Sequence, residues 1–595
     1  MADATSADYA PAGSICQACH LYETSPDKSS RTSWTKTPPT DLVGPAENSE
    51  SGQYALLVRN VKCYSGRKNL EIHSIVVQSG HLKRVLADVM RGYPRLTMEL
   101  ERVEFASPFE PFVHRWKKFT KARDTESDEA VKAHIDLLYN ILEGELHDVI
   151  SRKNDLVRNG VMTYDSLWTI FEPHQAVFSI VNGRRRIFKM ESSEVDPFSR
   201  TFVIAATYVD FDGTKFGHMP HHLFIPYYEG TKPIMSLSVF PLVYHGDQAL
   251  IRKDLISRGK LWSEYKGHHY KQYEGLALTK GTNGYNVKSR IIIDAEAYKT
   301  FNPSDSLAVS GNISDKLTDN HLLIAAPVLR GYSLKDKRWL EFFIDGVSDI
   351  VWNARAFDSL VLPHGHHDLK ELILAFAQTQ SSNLDVFDDV IQGKGRGVVM
   401  LLSGSPGVGK TLTAESVAEV MQVPLYVLSA GDLGTSASRV EENMKPVLRM
   451  VPKWGAILLL DEADVFMQAR DQSDLQRNEL VCVFLRLLEY YEGILFLTSN
   501  RAETIDRAFE SRIHISLRYP DLNANSRRQI WIQLLGDSVK LRFSEQQLDE
   551  LAGHNLNGRQ IKNVLKTASL LARRQEMVLC HGHIQTVLRV RAAHS

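Results

Sequence analysis

Cysteine is scarce in this chain: five occur in 595 residues, at Cys16, Cys19, Cys63, Cys482 and Cys580. That is too few for a disulfide scaffold and points to a reducing compartment. Net charge is scarce as well. Lys and Arg number 70 against 71 Asp and Glu, a formal −1. A balance so close to zero excludes a chain that is basic throughout and drawn by that charge to nucleic acid or an anionic membrane. Long apolar runs are missing, and none approaches the eighteen or so residues that cross a bilayer, so no membrane span is expected. Met1 to Ala10 carries Asp3 and Asp8 and no apolar core. Neither a signal peptide nor an Arg-rich transit peptide is therefore expected there. What is present is ordinary globular material, 43% hydrophobic and 24% charged, enough for several cores. The reading is an intracellular protein, cytoplasmic or nuclear, of several domains.

The pattern along the chain divides it into five stretches. Residues 1–52 are rich in Ser, Thr, Pro and acidic side chains, too poor in apolar surface to offset the entropy of ordering, and read as a disordered tail. Residues 53–162 are mixed and then helical. From Asp128 to Arg158, Val131, Ile135, Leu138, Leu142, Leu146 and Val149 recur at spacings of three and four, which places them on one face of a long helix. Residues 163–350 read as a β-rich domain. Asn182-Gly183 and Asp212-Gly213 sit between strand-like runs and predict hairpins. Further strands are expected at 291–294 and 340–344, and an amphipathic helix around Leu369, Leu372, Ile373 and Phe376. From 355 to 520, short apolar strands at 398–402, 425–428, 456–460, 494–497 and 515–517 alternate with helices. That alternation predicts a parallel five-stranded sheet with helices on both faces, an α/β fold. Residues 521–595 read as a smaller helical unit.

Three local patterns resemble metal or haem sites and fail on context. Cys16-Gln17-Ala18-Cys19-His20 has the spacing of haem attachment or of half a zinc site. No second ligand pair lies nearby, so two free thiols are the reading. Asp210-Phe211-Asp212-Gly213 opens like a calcium loop but lacks its later acidic ligands, so a turn is expected. His218, His221 and His222, like His364, His366 and His367, read as exposed loop histidines.

The chemistry concentrates further along. Gly404-Ser405-Pro406-Gly407-Val408-Gly409-Lys410-Thr411 is a GxxxxGKT loop, entered from a strand and left by a helix. Its glycines let the backbone turn its N–H groups toward phosphates, and the helix N-terminus adds partial positive charge. Lys410 is expected to reach the β- and γ-phosphates, the Thr411 hydroxyl to ligate Mg²⁺, and Leu412 to complete the ATP-binding set. Ile457 to Leu460 form an apolar strand that ends in Asp461-Glu462. Asp461 is the expected Mg²⁺ partner and Glu462 the base that polarises the attacking water. The neighbouring strand ends in Thr498-Ser499-Asn500, where the Asn500 amide can hold that water. Asp506 to Arg512 are placed on the helix after that strand, with Arg512 able to project into a neighbour's phosphate site. Asn557-Gly558-Arg559-Gln560 starts a helix in the last unit, from which Arg559 could close over the nucleotide.

These motifs, in this order, resemble the AAA+ ATPases from about residue 355 onward. From about residue 60 the chain is also similar to a fungal group of AAA ATPases with an uncharacterised N-terminal domain. The residues that carry this likeness include Leu167 to Pro173, Asp210 to Gly213, Trp339, Asn353, Leu459 to Phe466 and Asn557 to Asn563. The resemblance implies that Asn500 is sensor 1, Arg512 the arginine finger and Arg559 sensor 2. It implies an ATP-hydrolysing mechanoenzyme that remodels a protein or assembly as a homo-oligomeric ring, most simply a hexamer. Two departures stand out. The segment after the second strand, Ala430 to Ser436, reads as a shortened loop without the aromatic-x-Gly of threading unfoldases. Glu510-Ser511-Arg512 replaces the usual arginine pair and is similar to the finger of clamp loaders, with Arg507 as a second candidate. Two alternatives stand beside the main reading. One is an ATP-gated scaffold that does not cycle. The other is a nucleic-acid remodeller, for which residues 521–595 offer 11 Lys and Arg against 6 Asp and Glu.

Overall fold

The computed structural model describes residues 22–23, 34–35, 54–62, 70–100, 102–279, 284–305, 308–353, 397–434, 436–471, 474–536 and 543–593, with 356, 360, 371 and 375 as single positions. The Cys16–His20 pattern, the second histidine cluster and most of the 369–376 helix lie outside these residues. Within the stretch read as a tail, Tyr22–Glu23 pairs antiparallel with Trp34–Thr35. Two compact units divide the chain. The first comprises Met1–Ala176, Met190–Ala205 and Leu223–Tyr244, and the second Val177–Lys189, Ala206–His222 and His245–Ser595.

In the first unit, strands β1 (Leu56–Lys62), β2 (Leu70–Val77) and β3 (Val103–Ala106) form an antiparallel sheet. Helices α1 (Gly80–Val89), α2 (Glu110–Thr125) and α3 (Glu129–Arg158) share its core. The long helix starts where its sequence places it, with the Asp128 carboxylate accepting from the Ala130 and Val131 amides. Its buried residues are Val131, Ile135, Leu138, Leu142 and Leu146, with Val149 packed beside them.

Strands β4 (Ala176–Val181), β5 (Arg184–Asp196), β6 (Thr201–Phe211) and β7 (Phe216–Ile225) follow. Asn182 and Gly183 both have positive φ, 51° and 72°, as a two-residue hairpin turn requires. Asp212 makes the second turn by accepting from the Thr214 and Lys215 amides. Asp210 is buried in a two-pronged ion pair with Arg330, both contacts at 2.9 Å. Neither carboxylate is arranged as part of a calcium loop. His218, His221 and His222 lie on β7, not on a loop, because that strand runs further than its polar sequence suggests. The His221 ring stacks on Phe188 at 4.8 Å, and burial pushes its pKa down to about 4.

After α4 (Gln248–Glu264), β8 (His268–Leu278) and β9 (Gly284–Asp294) form a full-length hairpin. Beyond α5 (Ala295–Phe301), β10 (Val328–Ser333) pairs with β9, and β11 (Arg338–Phe343) pairs with both β10 and β8, so the four strands close on each other.

The following region is the expected α/β layer. Its strands are β12 (Val398–Gly404), β13 (Leu425–Ser429), β14 (Ile457–Asp461), β15 (Ile494–Ser499) and β16 (Ile515–Tyr519). They form a parallel sheet of order β13-β14-β15-β12-β16. Alternation decides which side each residue serves. Val399, Leu401, Leu458, Leu460, Leu495 and Leu497 join one core, with α8 (Ala437–Lys453) and α9 (Leu475–Glu489). Val398, Met400, Leu402, Ile457, Leu459 and Phe496 join the other, with Val417 and Ala418 of α6 (Lys410–Met421). Burial on both faces is what turns these strands into near-continuous apolar runs.

The core that contains α8 also takes in Ile292, Ala297 and Tyr332 of the β8–β11 region. Polar contacts stitch the same boundary. The Tyr332 and Tyr426 hydroxyls are 3.0 Å apart, and the Trp454 indole N–H donates to Asp294 at 2.8 Å. Arg290 meets Glu419 of α6 at 2.6 Å. Ala430–Leu433, expected as a shortened loop, is a helical turn, α7. Ser429 and Asp432 close a reciprocal cap around it, and Lys337 forms an ion pair with Asp432.

The last helices are α10 (Ala524–Leu535), α11 (Glu545–Gly553), α12 (Gly558–Arg574) and α13 (His581–Ala592). They pack around the fully buried Trp531, whose N–H donates to the Leu551 carbonyl at 3.2 Å.

Candidate functional site

In the strand order, β12 lies between β15 and β16 although β13 follows it in sequence. The chain changes direction across the sheet at β12, and open α/β sheets bind ligands at the carboxyl ends of strands at such a point. Register places Ser403 beside Ser499, Gly404 beside Tyr519, and Asp461 beside Ser429. The ends of the strands thus deliver Gly404, Asp461, Asn500 and Tyr519 to one rim.

The GxxxxGKT loop spans from β12 to α6. A β-carbon on Gly404 would lie 2.4 Å from the Tyr519 carbonyl oxygen, so only glycine fits against β16 there. Gly407 has a φ of +80°, and a β-carbon on it would lie 2.8 Å from the Asn557 side chain. The Gly558 N–H donates to the Gly407 carbonyl at 2.9 Å. The start of α12 therefore rests directly on the loop. No side chain caps the N-terminus of α6, which leaves its first amides for a bound anion.

Lys410 is buried among three oxygens. Its ammonium donates to the carbonyls of Gly404 (2.7 Å) and Ser405 (2.9 Å) and to the Asn500 side chain (2.8 Å). Burial lowers its pKa and the Arg559 charge lowers it further, while Asp461 and Asp464 pull the other way. Thr411 donates to Asp461 Oδ1 at 3.2 Å. A hydroxyl beside a carboxylate at a strand end is an all-oxygen donor set, which fits a small hard cation such as Mg²⁺. Glu462 follows in an unusual backbone conformation, with φ +58°. Its side chain is exposed, as is that of Asn500, whose backbone N–H donates to Asp464 at 3.3 Å. Ser405 and Pro406 are exposed in the loop, Val408 is buried behind it, Gly409 caps α6, and Leu412 is half-exposed on its first turn.

The structure therefore brings Lys410, Thr411, Asp461, Glu462 and Asn500 together. Arg559 is exposed on the first turn of α12, close enough for its charge to act on Lys410. Arg512 lies elsewhere. The segment that carries it is not a helix. Arg507–Phe509 is one 3₁₀ turn, capped by the Asp506 carboxylate, and Arg470 holds that carboxylate at 2.8 Å. Arg512 donates to Ala508 O (3.0 Å) and Ser511 Oγ (3.2 Å), with Glu489 3.6 Å away. None of these is a residue of the GxxxxGKT loop. Arg507 is exposed on the turn.

Three supporting residues have no role that the sequence alone assigns. Tyr519 packs on Gly404, and its hydroxyl meets Thr413 at 2.7 Å. Asn557 joins Gln560 in a reciprocal cap that fixes the start of α12 against the loop. The Thr498 hydroxyl touches both Asp461 and the Glu462 backbone. Only the folded arrangement of distant segments reveals these roles. A cavity of about 390 Å³ opens beside Gly404 and Ser405, bounded by Asn500, Arg501 and Arg518. A larger one of about 620 Å³ lies between α5 and α8 and contains no member of the site. Among the described residues no group of three or more His, Cys, Asp or Glu is arranged to hold a metal ion.

Comparison with known proteins adds an independent line. The family described as "ATPase family associated with various cellular activities (AAA)" matches residues 400–521. A domain of unknown function, DUF7025, matches residues 152–246. The chain is 31% identical over 199 residues to an ATP-dependent zinc metalloprotease FtsH of Parabacteroides distasonis, covering 29% of this chain and 27% of that protein. It is 30% identical over 146 residues to a Lon protease of Mycolicibacterium smegmatis, covering 21% and 19%. It is 29% identical over 211 residues to a putative 26S proteasome regulatory subunit homolog of Methanothermobacter thermautotrophicus, covering 32% and 54%. The chain thus spans from about a fifth to about half of the length of these relatives. No His in it is followed by Glu, so the zinc-protease motif HExxH is absent. The loop, the acidic strand end, the sheet order and the family match agree: residues 400–521 of this chain form a domain of the AAA ATPase family.

Proposed function

We propose that the protein hydrolyses ATP and uses the cycle to remodel a protein substrate or assembly, working as a homo-oligomeric ring, most simply a hexamer. The observation that carries this reading is the joined network of Lys410, Thr411, Asp461 and Asn500 at adjacent strand ends, with Glu462 next in the chain and α12 seated on the loop. In this reading 355–520 is the ATPase core, 521–595 the lid, and a domain or substrate held by residues 53–345 is what moves.

The loop amides and the α6 N-terminus hold the phosphates. Lys410 exchanges its carbonyl partners for phosphate oxygens, and its charge offsets the charge that develops on transfer. Thr411 and Asp461 would hold Mg²⁺, which would supply positive charge to neutralise the phosphates. Glu462 orients and polarises the attacking water, Asn500 fixes that water's position, and Arg559 follows the nucleotide as α12 moves. Arg512 is assigned to the neighbouring subunit's site, since its own contacts lie away from the loop.

A protein substrate is favoured by the relatives, two of which are named as proteases and one as a proteasome subunit homolog. The capped α7 turn and its tether to Lys337 support transmission of motion through the β8–β11 region, which shares a core with the ATPase sheet. No described helix is long and apolar enough to cross a membrane. The test is turnover: the purified chain should release phosphate from ATP, and Lys410→Ala and Glu462→Gln should each abolish release. Release by the Lys410→Ala variant at the wild-type rate would contradict the reading.

A further inference from the structure

We propose that Thr498 is a positioning residue for hydrolysis, which sets the backbone of Glu462 and the carboxylate of Asp461 from the neighbouring strand. Thr498 is 1% exposed near the end of β15. It touches three consecutive residues at the end of β14. Its hydroxyl donates to Asp461 Oδ1 at 2.5 Å and accepts the Glu462 N–H at 2.9 Å. Its carbonyl accepts the Ala463 N–H at 2.8 Å. One hydroxyl therefore fixes both the orientation of the cation-binding carboxylate and the backbone on which the base is mounted.

Glu462 needs such a restraint. Its φ of +58° is a left-handed conformation, which a β-carbon disfavours and which persists where the surroundings over-determine it. The Thr498 bonds to the amides on both sides of the Glu462 α-carbon provide that restraint. Asp461 Oδ1 accepts from both Thr498 and Thr411. Two hydroxyls on one oxygen fix the orientation of the carboxylate. Asn500 acts two residues further on, through its own amide. Its contribution is separate from that of Thr498.

This inference rests on the proposed role of Glu462 as the base. Thr498→Val preserves the shape of the side chain and deletes the hydroxyl, whereas Thr498→Ser retains the hydroxyl. A misplacement of about 1 Å in a catalytic group lowers turnover by about 100-fold. The Val variant should therefore lose about that much kcat, with KM for ATP within about twofold of wild type, because Lys410 and the loop are held by other contacts. The Ser variant should recover most of the loss. A second readout needs no nucleotide. Hydrogen exchange at the Glu462 amide of the free full-length protein should be slow in the wild type and in Thr498→Ser, and faster in Thr498→Val.

Wild-type kcat in Thr498→Val with the Glu462 amide still protected would overturn the inference. So would equal losses in the Val and Ser variants. If the wild-type chain shows no turnover, the proposed function fails, and amide exchange alone then decides whether Thr498 sets the Glu462 backbone.

Discussion

Replacing Gly407 by Ala tests how closely the helical lid and the phosphate loop are coupled. Two costs can be read from the structure. The residue has a φ of +80°, and placing an L-residue in left-handed backbone costs about 1–2 kcal/mol. The added β-carbon would also lie 2.8 Å from the Asn557 side chain. Asn557 cannot readily move away, because its side chain accepts from the Gln560 amide at 2.9 Å while Gln560 returns a bond at 3.0 Å. The start of α12 must lift instead, which breaks the bond from Gly558 N–H to the Gly407 carbonyl. That loss is worth about 1 kcal/mol. Nucleotide binding has to restore both features, so the penalty is about 2–3 kcal/mol, or about 30- to 140-fold in Kd. Titration with a fluorescent ADP analogue measures it. Adding Asn557→Gly should remove the clash at a cost of a few tenths of a kcal/mol. It leaves the backbone penalty in place and gives back about 0.7 kcal/mol net, so about threefold of the affinity should return. A Gly407→Ala chain that binds within about twofold of wild type would refute the reasoning. Failure of Asn557→Gly to recover any affinity would refute the lid contact.

Three further outcomes follow from other parts of the molecule. Trp454→Phe leaves the buried Asp294 carboxylate without its indole donor, and should lower stability by about 1–3 kcal/mol in urea unfolding. The Asp212 carboxyl is held down at about 2: burial would raise it, but bonds from Lys215, Thr214 and Lys299 prevail. Its folded pKa lies below the ordinary value, so the stability it contributes is complete above about pH 4 and is lost as the pH falls toward about 2. Asp212→Asn should flatten that part of the Tm profile between about pH 5 and 2; an unchanged slope would contradict the assignment. Arg512→Ala and Lys410→Ala chains should each be inactive alone. Mixed, they should recover turnover at sites where an Arg512→Ala subunit meets an intact Arg512 on a neighbour, and no recovery would remove the trans assignment.

The parts of this structure that are legible in the sequence are those set by local pattern. Strands β12, β14 and β15 are apolar runs because both faces are buried, and the GxxxxGKT loop is contiguous. Helix α3 carries its stripe and its Asp128 cap in sequence. The roles that are not legible depend on register between distant strands. Thr498 is ordinary until β15 is laid beside β14, and Tyr519 until β16 is laid beside β12. The composition of Asp506 to Arg512 suits a helix, but the bond from Arg470 to Asp506, made across the fold, closes a tighter turn. Ala430 to Leu433 reads as loop for a similar reason, since its cap partner Asp432 is shared with Lys337 from the β8–β11 region. His221 resembles a loop histidine in sequence because its stacking on Phe188 joins two separate strands.

The measurement that bears most directly on the central claim is phosphate release from ATP by the purified full-length chain, compared with its Glu462→Gln variant under the same conditions. The wild type should show steady, Mg²⁺-dependent release, and the variant should bind ATP and release none. Absence of turnover in the wild type, or equal turnover in the two proteins, would contradict the claim.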